Sequence, residues 1–148
     1  SYAPLLAKEK HTQWSPDLIY FNNREVKPTT GYYVQKLYGQ NAGSHYIPSQ
    51  IILDNQDNRV KLRIGSSIVR DSKTGDVIVK LVNLLPVSVE TEIQLPGIGS
   101  VQPSAVRTVL VGAPESTPLP VTDTIEVGTN FKQQLPAYSF TVIRLKTK

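Results

Sequence analysis

At 148 residues, with hydrophobic residues at 39 % and charged residues at 19 %, the chain is long enough for one packed core and far from the compositions of disordered or coiled-coil proteins. The net charge of +4 is spread along the chain; only Lys8/Lys10 and Arg144, Lys146 and Lys148 cluster, so the concentrated basic patch of a nucleic-acid surface is not expected. The absence of Cys excludes a disulfide framework, a thiolate zinc site and a cysteine nucleophile, and no apolar run reaches the length of a membrane span.

The first residues, SYAPLLAKEK, lack the charged-then-apolar order of a signal peptide, and the chain does not begin with Met, so it is expected to be processed or part of something longer. Residues 2–7 read as the last turns of a helix. Residues 18–21 (LIYF), a short apolar run that stops at Asn22-Asn23, read as a buried strand. Residues 29–39 (TTGYYVQKLYG) read as an amphipathic helix with Thr29 as N-cap and Gly39 just past its end; Tyr33/Leu37 and Val34/Tyr38 pair at i and i+4.

From about residue 51 the pattern becomes all β. Val60, Leu62 and Ile64 alternate with Lys61 and Arg63, predicting a half-buried strand, followed by a strand over 67–70. The turn at 71–76 (DSKTGD) and the nearly continuous apolar run 77–83 predict a hairpin whose second strand is central and covered on both faces. Val87, Val89, Thr91, Ile93 and Leu95 alternate with polar residues as a strand with one wet face, ended by Pro96-Gly97. Strands over 106–111, 125–127 and 139–145 complete a series of short, turn-punctuated strands. The fold class expected is mainly β, a jelly-roll-like β-sandwich with a small α/β region in front.

SYAPLLA, QWSPDLIYFNN, GYYVQKLYG and the terminal LPAYSFTVIRLK together resemble the C-terminal part of α-L-arabinofuranosidases of glycoside hydrolase family 51. The resemblance implies that residues 1–40 are the last strand and helix of a (β/α)8 barrel and that residues 41–148 are the C-terminal sandwich. One departure is Thr29-Thr30 where the family often has Thr-Pro; a Pro at the first helical position is only preorganising. The stretch 22–27 is also less similar to the family than its flanks. Family members are retaining glycosidases with two carboxylates about 5 Å apart. Glu9, Asp17, Glu25, Asp54 and Asp57 match neither motif, so no catalytic residue is expected in this chain, although the parent protein is expected to be an enzyme.

Trp14 is the best candidate for a sugar contact, since an indole face suits a furanose; the alternative, preferred here, is a Trp packed in the seam between barrel and sandwich. Asn22 and Asn23 fall at the C-terminal end of the predicted strand, where barrel enzymes place their sites, though Asn is also an ordinary strand-ending residue. Tyr32 and Tyr33 at helical spacing read as core or seam residues rather than a stacking platform. His11 and His45 stand far apart without a ligand cluster, and LDNQDN (53–58) lacks the Gly and terminal Glu of a calcium loop, so neither metal nor cofactor is expected.

The partners the resemblance implies are the upstream barrel of the same polypeptide and, through the parent enzyme, arabinose-containing polysaccharide. It also allows homo-oligomer contacts, and an extracellular or periplasmic location. Leu5, Leu6, Ile19, Phe21, Tyr33 and Leu37 are expected to pack against the sandwich, since each large apolar side chain left in water forgoes roughly 1.5–3 kcal/mol. The rival reading is a stand-alone carbohydrate-binding module, weakened because the only aromatic residues after residue 50 are Phe131, Tyr138 and Phe140.

Overall fold

The computed structural model describes residues 4–113 and 116–148. It is mainly β, with a six-stranded sheet as its largest element. In chain order, β1 (Leu6–Lys8), β2 (Ile19–Phe21) and β3 (Val26–Pro28) form a small sheet; α1 (Thr30–Gln40) follows; then come β4 (His45–Ile47), the single turn α2 (Asn58–Lys61), β5 (Ile64–Arg70), β6 (Val77–Asn83), β7 (Val89–Gln94), β8 (Val101–Val111), β9 (Val121–Glu126), β10 (Asn130–Leu135) and β11 (Ser139–Thr147). The large sheet runs β4-β5-β6-β11-β8-β9, and β7 pairs with β10 in a separate two-stranded sheet.

The hairpin predicted around residues 71–76 joins β5 to β6. Gly75 takes the positive φ that its turn requires, and the Asp71 and Asp76 backbones close it through the Asp71 N–H and the Asp76 carbonyl. The apolar run of β6 makes it a central strand, as expected, because its alternate residues serve two cores. Val77, Val79 and Leu81 join Ile143 and Leu145 of β11 and Ala105 of β8 against Ile93, Leu95, Ile98 and Leu135 from the two-stranded side. Ile78, Phe140, Val142, Leu110 and Val69 point the other way and meet Leu37 of α1, with Tyr33 and Val34 beside it. A sheet faced by a second sheet is the packing of a β-sandwich; the helix covers part of its outer face.

At its C-terminus α1 is fastened to that outer face by two cations. Asn41 is the C-cap; its N–H donates to the Leu37 and Tyr38 carbonyls and its side-chain amide to Leu37 O. Lys80 Nζ donates to Asn41 O at 2.8 Å under the Tyr38 ring, and Arg144 Nη1 reaches Asn41 Oδ1. Positive charge at a helix C-terminus opposes the negative end of its dipole. Arg144 is held in turn by Asp76 Oδ2 at 2.6 Å and Asp71 Oδ2 at 2.7 Å. Tyr38 also stacks on Phe140, with ring centroids 4.6 Å apart.

Several expectations are corrected. Of the predicted helix end at 2–7, residues 2 and 3 lie outside the described residues; Leu6–Lys8 is a strand, parallel to β2, with Ala7 buried between exposed neighbours. Thr29 does occupy the N-cap, but its hydroxyl donates to Leu18 O instead of capping, and the helix runs through Gly39 to end at Asn41. The alternation at 60–64 is not a strand: Asp57 accepts the Arg59 N–H and caps α2, while Leu62 is 84 % exposed, so the apolar period there faces no core. The second predicted strand begins at Ile64, the one at 106–111 extends to Val101–Val111, and the one expected at 125–127 lies over Val121–Glu126 and leaves out Val127. The small strands β3 and β4 and the strand β10 were not anticipated. Of the six apolar residues expected against the sandwich, Leu37 and Tyr33 pack there; Leu5 and Leu6 are exposed.

Candidate functional site

The residues singled out by sequence lie on the small sheet. The parallel pairing of β1 and β2 puts their C-terminal ends side by side, with the Glu9 N–H donating to Phe21 O as the pair closes. Asn22 follows immediately and organises the turn into β3. Its Oδ1 accepts the N–H groups of Arg24 and Glu25, its own N–H donates to Glu25 O, and its Nδ2 donates to Glu9 Oε2 at 3.0 Å. Asn22 is therefore occupied on both faces of its amide by its own turn and by Glu9. Asn23 is exposed, with no side-chain hydrogen bond among the described residues.

Lys27 completes this group. Its ammonium donates to Glu9 Oε1 at 3.0 Å and lies 3.1 Å from Glu25. The hydrogen bond from Asn22, then that from Lys27, holds the Glu9 carboxyl below its ordinary range; the Glu9 and then the Glu25 hydrogen bonds raise Lys27. A carboxyl held ionised as Glu9 is here is unsuited to the role of the protonated acid that glycoside cleavage needs.

Trp14 sits in the connection from β1 to β2. Its backbone is held by Thr12, whose hydroxyl accepts the Trp14 N–H and donates to Trp14 O. The indole is 66 % exposed, and no hydrogen bond joins it to Asn22 or Asn23. Tyr32 and Tyr33 meet edge to face at 5.2 Å rather than forming a flat platform. His11 and His45 are exposed, and no group of metal-ligating side chains is found among the described residues.

Two concavities lie elsewhere. One, of about 350 Å³, is an apolar groove between α1 and the sheet, walled by Val34, Tyr38, Leu84, Leu110, Tyr138 and Phe140. The other, of about 360 Å³, lies beneath the loop that carries Ile51 and Ile52. Among the described residues neither is lined by a carboxylate or a histidine, so neither shows the carboxylate pair of a retaining glycosidase.

Sequence reasoning missed two features. The Glu9–Lys27 pairing depends on the register of β1, β2 and β3, which the short strands do not announce. Asp17 is fully buried with no hydrogen-bond partner on either carboxylate oxygen among the described residues; only the apolar residues following it hinted at an interior position.

Comparison with known proteins agrees with this architecture. The family profile described as the α-L-arabinofuranosidase C-terminal domain matches residues 1–139. An extracellular exo-α-L-arabinofuranosidase of Streptomyces chartreusis is 52 % identical over 50 residues, which are 34 % of this chain and 6 % of that protein. A probable α-L-arabinofuranosidase A of Aspergillus terreus is 33 % identical over 102 residues, 68 % of this chain and 15 % of that one. The solved structure of arabinose-bound MgGH51 α-L-arabinofuranosidase superposes with a TM-score of 0.86 at 32 % identity, covering 100 % of this chain and 24 % of its own. The chain thus spans no more than about a quarter of the length of these relatives. With its strands, its flanking helix and its length matched together, the chain belongs to the α-L-arabinofuranosidase C-terminal domain family.

Proposed function

We propose that the chain is the non-catalytic C-terminal sandwich of a retaining α-L-arabinofuranosidase, and that it braces an upstream barrel which removes terminal arabinofuranosyl residues from arabinose-containing polysaccharide. Residues 1–40 are read as the last strand and helix of that barrel and residues 41–148 as the sandwich. The observation that carries this is the joint at Asn41: Lys80 and Arg144 hold the end of α1 against the sheet while Leu37 is buried beneath it. A helix clamped in this way transmits the position of the sandwich to whatever precedes it. The parallel β1–β2 pair, with its apolar Leu5 and Leu6 exposed, supports a neighbour on the barrel side. That the Streptomyces relative is an extracellular enzyme supports an extracellular parent.

The test compares the longer polypeptide with and without residues 41–148. Bracing predicts that removal lowers the thermal midpoint and arabinofuranosidase activity together, while the chain alone turns over no arabinofuranoside. Turnover by the chain alone, or an unchanged longer polypeptide after removal, would sink the reading.

A second reading, a carbohydrate-binding module, is favoured by one observation, the exposed indole of Trp14. Because Trp14 is the sole tryptophan, its fluorescence reports directly on that surface. A saturable change with arabino-oligosaccharides, lost in Trp14→Phe by calorimetry, supports this reading; no change up to millimolar sugar removes it.

A further inference from the structure

The two outer faces of the sandwich differ in chemistry. Ile93 of β7 and Phe131 and Leu135 of β10 join the inner core, so by strand alternation their neighbours Glu90, Glu92, Gln94, Lys132 and Gln134 point outward. All five are exposed, and Lys132 pairs with Glu90; that face is a solvated one. The outer face of the six-stranded sheet is apolar at its centre instead, where Ile78, Leu110, Phe140 and Val142 gather under α1. Six strands span about 24 Å and a helix with its side chains about 10 Å, so α1 by itself leaves more than half of that face without a second layer.

The apolar groove of about 350 Å³ lies on this face, directly beside α1. Val34 and Tyr38 line it from the helix, Leu110 and Phe140 from the sheet, and Leu84 and Tyr138 from the turns that follow β6 and precede β11. Among the described residues it carries no charged side chain, and Leu84 stands 50 % exposed in it. Tyr138 is placed there at a cost. Its φ of +48 is a left-handed conformation that a Tyr adopts only where its surroundings impose it. They do so here: its N–H donates to Leu85 O, its carbonyl accepts the Gly112 N–H, and the Asn83 amide holds Pro136 O two residues earlier.

Resting on the reading that a barrel precedes this segment in the same polypeptide, we propose that the groove is the seat of a second helix, carried by that preceding chain and laid beside α1. A barrel of that class presents helices on its outside, so a helix is what reaches a sheet from it. Helices pack side by side at about 8–10 Å, which fits the width left uncovered next to α1. A groove without charge takes an aliphatic or aromatic anchor, since a charged one would lose its water without a partner. Tyr138, fixed by its turn, is the rigid aromatic that interface cores favour. The charged face across β7 and β10 offers no such seat. With the groove filled, α1 is held by the sheet and by a neighbouring helix, so the joint at Asn41 acts on a pair of helices.

The chain has no cysteine, so Leu84→Cys gives it a single thiol, at a position half exposed in the chain alone. The test measures the rate at which a maleimide labels that thiol in the chain alone and in the polypeptide with the preceding region attached, the unsubstituted protein serving as blank. Ile52→Cys, 83 % exposed at the other hollow, is the control. The Leu84→Cys thiol is expected to react about tenfold or more slowly in the longer polypeptide, and the Ile52→Cys thiol equally fast in both. Leu84→Arg, read by thermal unfolding, is expected to lower the midpoint of the longer polypeptide and to leave that of the chain alone unchanged. Equal labelling of Leu84→Cys in both, or equal midpoint shifts for Leu84→Arg, would mean that no preceding helix fills the groove. Slow labelling in the chain alone that speeds up on dilution would mean that a second copy fills it; each of these results overturns the proposal. The bracing reading fails separately, by an unchanged longer polypeptide after removal of residues 41–148, whereas a freely reacting Leu84→Cys thiol in a polypeptide that does depend on those residues sinks the second helix alone.

Discussion

Single side chains hold the turns of this fold, Asn83 among them. It is fully buried; its Nδ2 donates to the carbonyls of Val87, Leu135 and Pro136, and its Oδ1 accepts the Leu85 N–H. Replacing it with Leu leaves those groups buried without partners, at about 1–3 kcal/mol for each left unsatisfied. Asn83→Leu is therefore expected to lower the urea midpoint more than any surface substitution, and an unchanged midpoint would show that water replaces the amide. Asp71 gives the acid limb of stability. The Lys73 N–H, and then the Arg144 guanidinium, hold its carboxyl below the ordinary value of 3.8 against the opposing effect of burial. Its folded value lies below its unfolded one, so its contribution is complete above the ordinary carboxylate range and is lost as pH falls through the lowered value. Asp71→Asn is expected to flatten the decline in stability below about pH 4, measured by denaturant titration at successive pH values.

Among the elements, α1 is the one whose loss would be felt on both sides of residue 40. Leu37 is its buried anchor, and Leu37→Ala is expected to cost about 2–5 kcal/mol, read by chemical denaturation. Gly43, just beyond the helix, has φ +69, and a Cβ there would stand 2.5 Å from Val69 Cγ2. Gly43→Ala is expected to destabilise by more than about 1 kcal/mol because strain and overlap act together, in contrast to Gly39, where a Cβ would meet nothing. The elements legible in sequence were those whose periodicity matched their burial: β6, buried on both faces, β7, with one wet face, and the helix bearing Leu37. The misreadings share a physical cause. At 60–64 a period-two pattern met no partner face, and the carboxylate of Asp57 organised a helical turn instead. β3 and β4 are three residues each, and β10 (NFKQQL) has few apolar residues, because half of its side chains meet solvent. Their formation follows from neighbouring strands, which local sequence does not encode.

For the molecule as a whole, the small sheet and the large one differ in how they are held. β6 and β11 lie between other strands and are buried on both faces, whereas β1 to β3 are three-residue strands with exposed neighbours. Amide exchange in the chain alone is expected to be slowest in β6 and β11 and fast in β1 to β3, while attachment of the preceding region slows the latter; uniform protection would argue against a barrel remnant. The family was legible because the motifs of residues 1–40 survive in order. The buried Asp17 was not, since a carboxylate's burial depends on side chains brought from other strands. The topology of the large sheet carries one more consequence. Its two halves, β4-β5-β6 and β8-β9, are joined only through β11, the last strand of the described chain. During synthesis the sheet stays in two separate pieces until β11 emerges from the ribosome, so the segments before it have time to fold first. A nonsense codon before Ser139 removes the strand that unites the halves, leaving the facing edges of β6 and β8 unpaired and open to aggregation.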